Sequence, residues 1–152
     1  MRARAPPTSF TANTASSGWG RAPLGNVSSG YVLYVMGNLL HYEYNFIGSH
    51  YVIASERELP DGSCIVEFTF DKTGPGRGVG TLSVDGSEIG RGVLPRVLPH
   101  FLGWAGLDVG KDSLSRVSSN YADEFAFEGK IEKVIFTIDD FEPAREYQEV
   151  VD

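Results

Sequence analysis

The segment VGTLSVDGSEIGRGVL, Val79 to Leu94, indicates the class of fold because it predicts a tight β-hairpin. Asp85-Gly86 stands between two runs in which apolar and polar residues alternate, and glycine readily adopts the positive φ that a primed two-residue turn needs. Pairing outward from this turn leaves one polar face, expected to contact water, and one apolar face. The predicted apolar face consists of Leu82, Val84, Ile89 and Val93.

A second hairpin is predicted where YVLYVM and LLHYEYNF flank the dipeptide Gly37-Asn38. Pairing from that turn puts the larger apolar side chains on one face, which we expect to form core. The core face consists of Tyr31, Leu33, Val35, Leu40, Tyr42, Tyr44 and Phe46. The opposite, polar face carries Tyr34, His41, Glu43 and Asn45 and is expected to point outward.

Short alternating segments separated by Gly, Pro, Asn and Asp continue from residue 30 to residue 138, with no sustained helical period. This pattern predicts an all-β protein, specifically an antiparallel β-sandwich. Residues 131–138 are apolar on both sides of the predicted strand, so we expect this strand either to be central and covered on both faces or to be covered by something outside this chain.

Three regions follow from these patterns. Residues 1–29 are rich in Ser, Thr and Arg without any acid, which fits a transit peptide, but Pro6-Pro7 and Gly18 would interrupt an amphipathic helix and favour a flexible, disordered leader. Residues 30–138 form the predicted sandwich. Residues 139–152 form an acidic tail in which apolar side chains recur every three to four residues, as a short helix would require.

Charge and cysteine content exclude several classes of function. A net charge of −7 argues against nucleic acid or an anionic membrane as the main partner, because both favour clustered Lys and Arg. Cys64 is the single cysteine, so neither an internal disulfide nor a thiolate metal cluster is available. No apolar run reaches the roughly 20 residues of a membrane-spanning helix. These observations predict a soluble protein, cytoplasmic or of another reducing compartment.

The sequence contains few candidates for chemistry. Cys64 lies among apolar residues of a predicted strand, which favours a buried, inert thiol over a nucleophile. The glycine-rich segment 74–80 matches no phosphate-binding pattern and is predicted to be a flexible loop. His41 and Glu43 lie on one strand face, where a polar outward surface is the simpler interpretation than an acid/base pair. Neither a catalytic nor a metal-binding residue is therefore predicted.

The order of segments resembles the C-terminal β domain of a group of bacterial arylsulfatases, with a more general likeness to concanavalin-like and laminin-G jelly rolls. The matching segments are YEYNF at 42–46, PDG at 60–62, GVGTLSVDG at 78–86, DVGKD at 108–112 and FEGKIEKV at 127–134. The resemblance implies a non-catalytic accessory domain that packs against a sulfatase catalytic domain, in cis or in trans. In that family the formylglycine motif and the calcium ion belong to the catalytic domain, so this chain is expected to hold no cofactor. Cys64 is followed by Ile65-Val66-Glu67, which does not match the motif required to convert a cysteine to formylglycine.

A second hypothesis is a stand-alone lectin-like module. Its glycan would bind on the polar face of the first hairpin, through Tyr34, His41, Glu43 and Asn45. Aromatic rings that stack on sugars would provide the affinity. Hydrolase activity of the isolated chain is a third and much weaker hypothesis.

Overall fold

The chain folds into two antiparallel β-sheets packed against each other, which confirms the all-β prediction. A computed structural model describes residues 9–15, 21–25, 29–98 and 130–137, and within these residues every regular element is a strand. The strands are β1 (Ser9–Ala15), β2 (Arg21–Gly25), β3 (Ser29–Met36), β4 (Leu39–Phe46), β5 (Ser49–Ala54), β6 (Ser63–Gly74), β7 (Arg77–Val84), β8 (Ser87–Leu94) and β9 (Lys130–Thr137).

The described strands form two meanders, β2 to β5 and β6 to β8. β1 and β9, from the two ends of the described chain, extend the sheet of the second meander. The five-stranded sheet has the order β8-β7-β6-β1-β9, and the four-stranded sheet has the order β2-β3-β4-β5. Neighbours along the chain pair through tight turns in both sheets, so most of the pairing is local. No described helix has the length and hydrophobicity needed to cross a bilayer.

Three hairpins have two-residue turns with positive φ at both central positions, which defines the primed geometry that suits the strand twist. Gly37 and Asn38 have φ values of 58° and 61°, and Asp85 and Gly86 have values of 48° and 78°, so both predicted turns are confirmed. The third turn, between β4 and β5, contains Ile47 at 47° and Gly48 at 84°. Ile47 is unusual there because β-branched residues rarely adopt positive φ.

The core lies between the two sheets. On its four-stranded side the ring of Tyr42 stacks on that of Phe68 from the opposite sheet, with centroids 3.5 Å apart and planes inclined by 6°. Tyr42 and Phe68 are both buried, so this contact joins the sheets near the middle of the core. The other buried apolar residues of the cluster are Leu33, Leu40, Ile53, Leu59, Cys64, Val66, Leu82, Val84, Ile89 and Leu94.

Along one side the two sheets approach so closely that glycines are required. A Cβ atom on Gly80 would lie 2.6 Å from Cδ1 of Ile53, and one on Gly90 would lie 2.7 Å from the carbonyl oxygen of Ala54. The backbone of β5 therefore fits directly over β7 and β8. The amide of Glu56, just after β5, donates to the carbonyl of Ile89 at 2.6 Å and links the sheets through their backbones.

The predicted apolar face of the Val79 to Leu94 hairpin is wrong at Val93. Val84 pairs with Ser87 and Ser83 with Glu88 as predicted, but Leu82 pairs with Gly90 because a bulge inserts Ile89. Beyond a bulge the alternation of the strand shifts by one residue. Val93, predicted to be core, is consequently 69% exposed, and Leu94 takes its place as a fully buried residue.

Among the described strands, the prediction that the last strand is central is wrong. β9 ends the strand order of the five-stranded sheet and pairs with β1 among the described strands. A register shift between Ala12 and Thr14 brings Ile131 and Val134 to the same side of β9. Val134 packs against the core, while Ile135 lies on the outer face and is exposed. The apolar residues on both sides of β9 thus reflect a bulge and an exposed isoleucine.

Residues 1–29, predicted to be a disordered leader, contain two paired strands. β1 lies between β6 and β9, and β2 pairs with β3 at the edge of the four-stranded sheet. Among the described strands β2 is an edge strand, and a proline such as Pro23 is tolerated there because one side of the strand has no ladder partner among them. The low content of large apolar residues obscured these strands in the sequence. The acidic tail at 139–152, with its predicted helix, lies outside the described residues.

Candidate functional site

The four predicted site residues come together on the outer face of the four-stranded sheet. Tyr34 on β3 pairs with His41 on β4, and their rings stack in parallel with centroids 5.0 Å apart. Glu43 and Asn45 follow His41 at two-residue intervals, so all three side chains of β4 point to the same side. The grouping expected from the sequence is therefore present.

The expectation that this face points into water is wrong. Glu43 is 1% exposed and Asn45 is fully buried, and Tyr34, His41 and the neighbouring Val32 are buried as well. Alternation along a strand separates two faces but does not reveal which of them is covered. The face formed by β3 and β4 is thus a second buried layer, which contains a carboxylate.

Glu43 forms the centre of a hydrogen-bonded group across three strands. Its Oε2 accepts a hydrogen bond from the hydroxyl of Tyr34 on β3 at 3.3 Å. Its Oε1 lies 2.6 Å from Nδ1 of His50 on β5. A carboxylate removed from water is very unfavourable unless it is hydrogen-bonded or paired, and these two partners provide both kinds of compensation. We call Tyr34, Glu43 and His50 the Glu43 group.

His50 is the residue of this group that the sequence analysis missed. It lies opposite Asn45 in the β4–β5 register and reaches Glu43 diagonally, and its side chain is 31% exposed whereas that of Glu43 is buried. Extending the pairing of the first hairpin into the segment HYVIAS would have placed His50 on the same face. Nδ1 of His50 faces the carboxylate of Glu43, so Nε2 is the ring nitrogen left to contact a ligand.

The other two predicted residues have local structural roles. Oδ1 of Asn45 accepts a hydrogen bond from the amide of Gly48 at 2.8 Å and so stabilises the β4–β5 turn. Nδ1 of His41 donates to the carbonyl of Leu39 at 3.0 Å, which fixes the ring beside Tyr34. Both side chains therefore contribute to the geometry of β4, at the two ends of the Glu43 group.

Metal binding and nucleophilic catalysis find little support within the described residues. No group of three or more His, Cys, Asp or Glu side chains among them is placed to hold a metal ion. Cys64 is buried in the core, as predicted, where a thiol is inert. The chemistry available at this face is hydrogen bonding by the partly exposed side chain of His50.

Three tyrosines in the core have shifted pKa values. Burial raises the pKa of Tyr31 to about 12, and burial together with the nearby Tyr31 and Tyr44 raises the pKa of Tyr42 well above its ordinary value. Burial also raises the pKa of Tyr44, partly offset by the amide of Leu98, which donates to its hydroxyl at 2.9 Å. These hydroxyls therefore remain neutral at physiological pH.

The fold defines an all-β protein built from two packed antiparallel sheets. The outer face of the four-stranded sheet contains the buried carboxylate of Glu43. Comparison with family models, with curated proteins and with solved structures gave no match for this chain.

Proposed function

We propose that this chain is a non-catalytic accessory β-sandwich domain, which acts by packing against another protein domain. The finer assignment is a jelly roll of the concanavalin and laminin-G type that serves an arylsulfatase-like sulfuric-ester hydrolase. That finer assignment rests on the motif resemblance at 42–46, 60–62, 78–86, 108–112 and 127–134. Its partner is the sulfatase catalytic domain, in cis or in trans.

The observation that carries the accessory role is that the polar side chains of β3 and β4 are buried and connect neighbouring strands. Glu43 is almost completely buried and is hydrogen-bonded by Tyr34 and His50. The side chains of this polar face therefore connect β3, β4 and β5 to one another. A buried polar group that is fully satisfied rigidifies a domain and contributes to a unique arrangement of its strands. A rigid domain is what a scaffold for a neighbouring catalytic domain requires.

Exposed aliphatic side chains support packing against a partner. Single exposed apolar residues are ordinary on protein surfaces, but interfaces draw on residues of this kind. The exposed large apolar side chains among the described residues are Met36, Ile47, Val52, Ile65, Val93 and Ile135. Calcium has no role in this chain under the proposal, because the metal would belong to the catalytic domain.

The carbohydrate-binding alternative needs the same face to be accessible. Burial of Tyr34, His41, Glu43 and Asn45 leaves His50, Val52 and Ala54 as the exposed residues of this face among the described side chains, which is a small area for a sugar. Binding on a glycan array that Tyr34→Ala abolishes, with the variant still folded by circular dichroism, would favour the alternative over the accessory role.

The accessory role can be tested in the native host with an antibody raised against residues 30–98. A band much heavier than 16.6 kDa, or a band near that mass that elutes with a sulfatase catalytic domain on native size-exclusion chromatography, is the expected result. A band near 16.6 kDa that elutes as a free monomer would contradict the proposal. Turnover of an aryl sulfate by the purified chain would also contradict it, because the chain would then be catalytic.

A further inference from the structure

The exposed charges of the described residues are divided between the two ends of the sandwich. Three cationic side chains, those of Lys72, Arg77 and Arg96, lie around the β6–β7 turn, and all three are exposed. We call these three residues the basic end. Most exposed carboxylates of the described residues lie at the opposite end, beside the β7–β8 turn and the loop between β5 and β6. They are Glu56, Glu58, Asp61, Asp85 and Glu88.

Backbone pairing brings the three cations of the basic end close to one another. Lys72 lies on the strand before the β6–β7 turn, and Arg77 begins the strand after it. The amide of Val97 donates to the carbonyl of Gly76 at 2.7 Å, which places the adjacent Arg96 beside the same turn. The three cations therefore belong to one surface, although they are far apart in the sequence.

The charge of the basic end is not balanced by the described residues. No described carboxylate lies within ion-pair distance of the three cations, and Asp71 is the one described carboxylate exposed on the same turn. Like charges that lie close together repel one another, and an anion among them would offset this repulsion. The basic end is therefore suited to an acidic partner, although the net charge of the chain is −7.

The direction of β9 leads the chain toward the basic end. β6 and β9 both pair with β1 in an antiparallel manner, so they run in the same direction. Because β6 leads into the β6–β7 turn, β9 ends at Thr137 on that same side of the sheet. Two strand spacings and three residues along β6 separate Thr137 from Lys72, which corresponds to roughly 14 Å.

The acidic tail that follows β9 carries the opposite charge. Residues 139–152 contain six carboxylates and one arginine, Arg145. The carboxylates are Asp139, Asp140, Glu142, Glu146, Glu149 and Asp152. The first three of them come within five residues of Thr137, and five extended residues span roughly 16 Å. The acidic tail is thus long enough to reach the basic end.

We propose that the acidic tail binds the basic end of its own chain, where its carboxylates pair with Lys72, Arg77 and Arg96. Exposed ion pairs are individually weak, but several act together here, and the short connection keeps the tail at an effective concentration in the millimolar range. That concentration favours this tail over the tail of a second copy in a micromolar solution. An anionic partner that uses the basic end has to displace the tail, so the contact regulates access to this surface. This contact does not depend on the accessory role.

NMR of the full chain with a spin label at residue 144, introduced as Ala144→Cys, tests the contact. Cys64 is buried and inert, so the label attaches to the introduced thiol. In dilute salt the label should broaden the amide signal of Gly76, at the basic end, much more than that of Gly86 at the opposite end. Salt at about 0.5 M shortens the Debye length to roughly 4 Å and should remove this difference.

Charge reversal provides the matched comparison. The double variant Lys72→Glu/Arg77→Glu should reduce the broadening at Gly76 by about threefold or more, because two attractive charges become repulsive. Arg57→Glu reverses an exposed arginine at the opposite end and should leave the broadening unchanged. Equal broadening at the two ends of the original chain, or equal broadening at Gly76 in the original chain and the double variant, would overturn the proposal. If the double variant does not fold, broadening in the original chain that persists at high salt would overturn it as well.

A mixed sample distinguishes the chain's own tail from that of a second copy. Spin-labelled chain without isotopes is combined with isotope-enriched chain without the label, both at micromolar concentration. The signal of Gly76 in the enriched chain should remain sharp. Broadening of this signal as strong as in the singly labelled chain would mean that a second copy supplies the tail, and the intrachain contact would be rejected.

Discussion

Nδ1 of His50 lies 2.6 Å from Oε1 of Glu43, which joins a partly exposed imidazole to a carboxylate that is 1% exposed. The contact connects β5 to β4, and the hydroxyl of Tyr34 extends it to β3. Three strands of the four-stranded sheet are thus joined by side chains on the face away from the core. Removing either partner leaves Glu43 buried with fewer hydrogen bonds, so the effects of the two removals can be ranked.

His50→Ala is expected to destabilise the fold by about 1–3 kcal/mol, because it removes the shorter contact of a buried carboxylate. Tyr34→Phe, which removes the 3.3 Å hydrogen bond and keeps the ring, should cost about 1 kcal/mol. Urea denaturation at neutral pH measures both. Val52→Ala, an exposed neighbour on the same face, serves as the control and should change stability by less than about 0.5 kcal/mol. If His50→Ala cost no more than Val52→Ala, the contact would have no energetic significance.

The buried carboxylate also predicts non-additive effects. In a double-mutant cycle, His50→Ala should cost much less in a Glu43→Gln background, because the neutral amide no longer depends on an imidazole partner. We expect a coupling free energy of about 1 kcal/mol or more between these two positions. Additive effects within about 0.3 kcal/mol would show that the residues act independently.

The hairpins were predictable from sequence because turn chemistry is local. Asp85-Gly86 and Gly37-Asn38 determine both turns and the pairing next to them, and the core positions of Tyr42 and Val84 follow from the alternation. The bulge at Ile89 was not predictable in this way. It depends on how Gly90 fits beneath the carbonyl of Ala54, a contact with a strand more than thirty residues earlier.

The sequence predicted which residues share the face of the candidate site, but it did not predict that they are buried. Alternation placed Tyr34, His41, Glu43 and Asn45 on one face, and the structure brings them together there. Their burial depends on tertiary packing outside the hairpin, which no local pattern reports. His50 was missed because its link to Glu43 is a diagonal contact from the next strand.

Gly90→Ala is expected to destabilise the fold by about 1–3 kcal/mol, since the added methyl group would lie 2.7 Å from the backbone oxygen of Ala54. Backbone atoms cannot move aside without disturbing the junction of the two sheets. Gly74→Ala is the matched control. Its Cβ would also approach to 2.7 Å, but toward Nε of the flexible Arg77 side chain, which can rotate away. Thermal unfolding of both variants should therefore show a large loss for Gly90→Ala and little change for Gly74→Ala.

Tyr42→Phe should leave the fold equally stable or stabilise it by up to about 1 kcal/mol at neutral pH. Tyr42 is buried and its ring stacks on Phe68, burial is the main cause of its raised pKa, and no hydrogen bond from the described residues contributes to that pKa. Deleting a buried polar group that lacks such a bond removes a desolvation cost, and the phenyl ring preserves the stacking. Urea denaturation measures the change. A loss of more than about 1 kcal/mol would mean that the hydroxyl is hydrogen-bonded in solution.

Stability should fall steeply in alkaline solution, and Tyr42 should account for part of the fall. Its pKa in the folded chain is raised well above the ordinary value of 10.0, and that of Tyr31 is raised to about 12. Between the two states' pKa values the folded chain therefore binds more protons than the unfolded chain, so the free energy of unfolding decreases as pH rises. The contribution is fully present below pH 10, where both states are protonated, and it is lost progressively above that pH. Each tyrosine that ionises in the unfolded chain alone contributes about 1.4 kcal/mol per pH unit to the slope.

Urea denaturation across this pH range should give a shallower slope for Tyr42→Phe than for the original chain. Lysines and arginines titrate equally in both proteins, so the difference between the two slopes isolates Tyr42. Parallel slopes would mean that Tyr42 ionises at the same pH in the folded and unfolded chains.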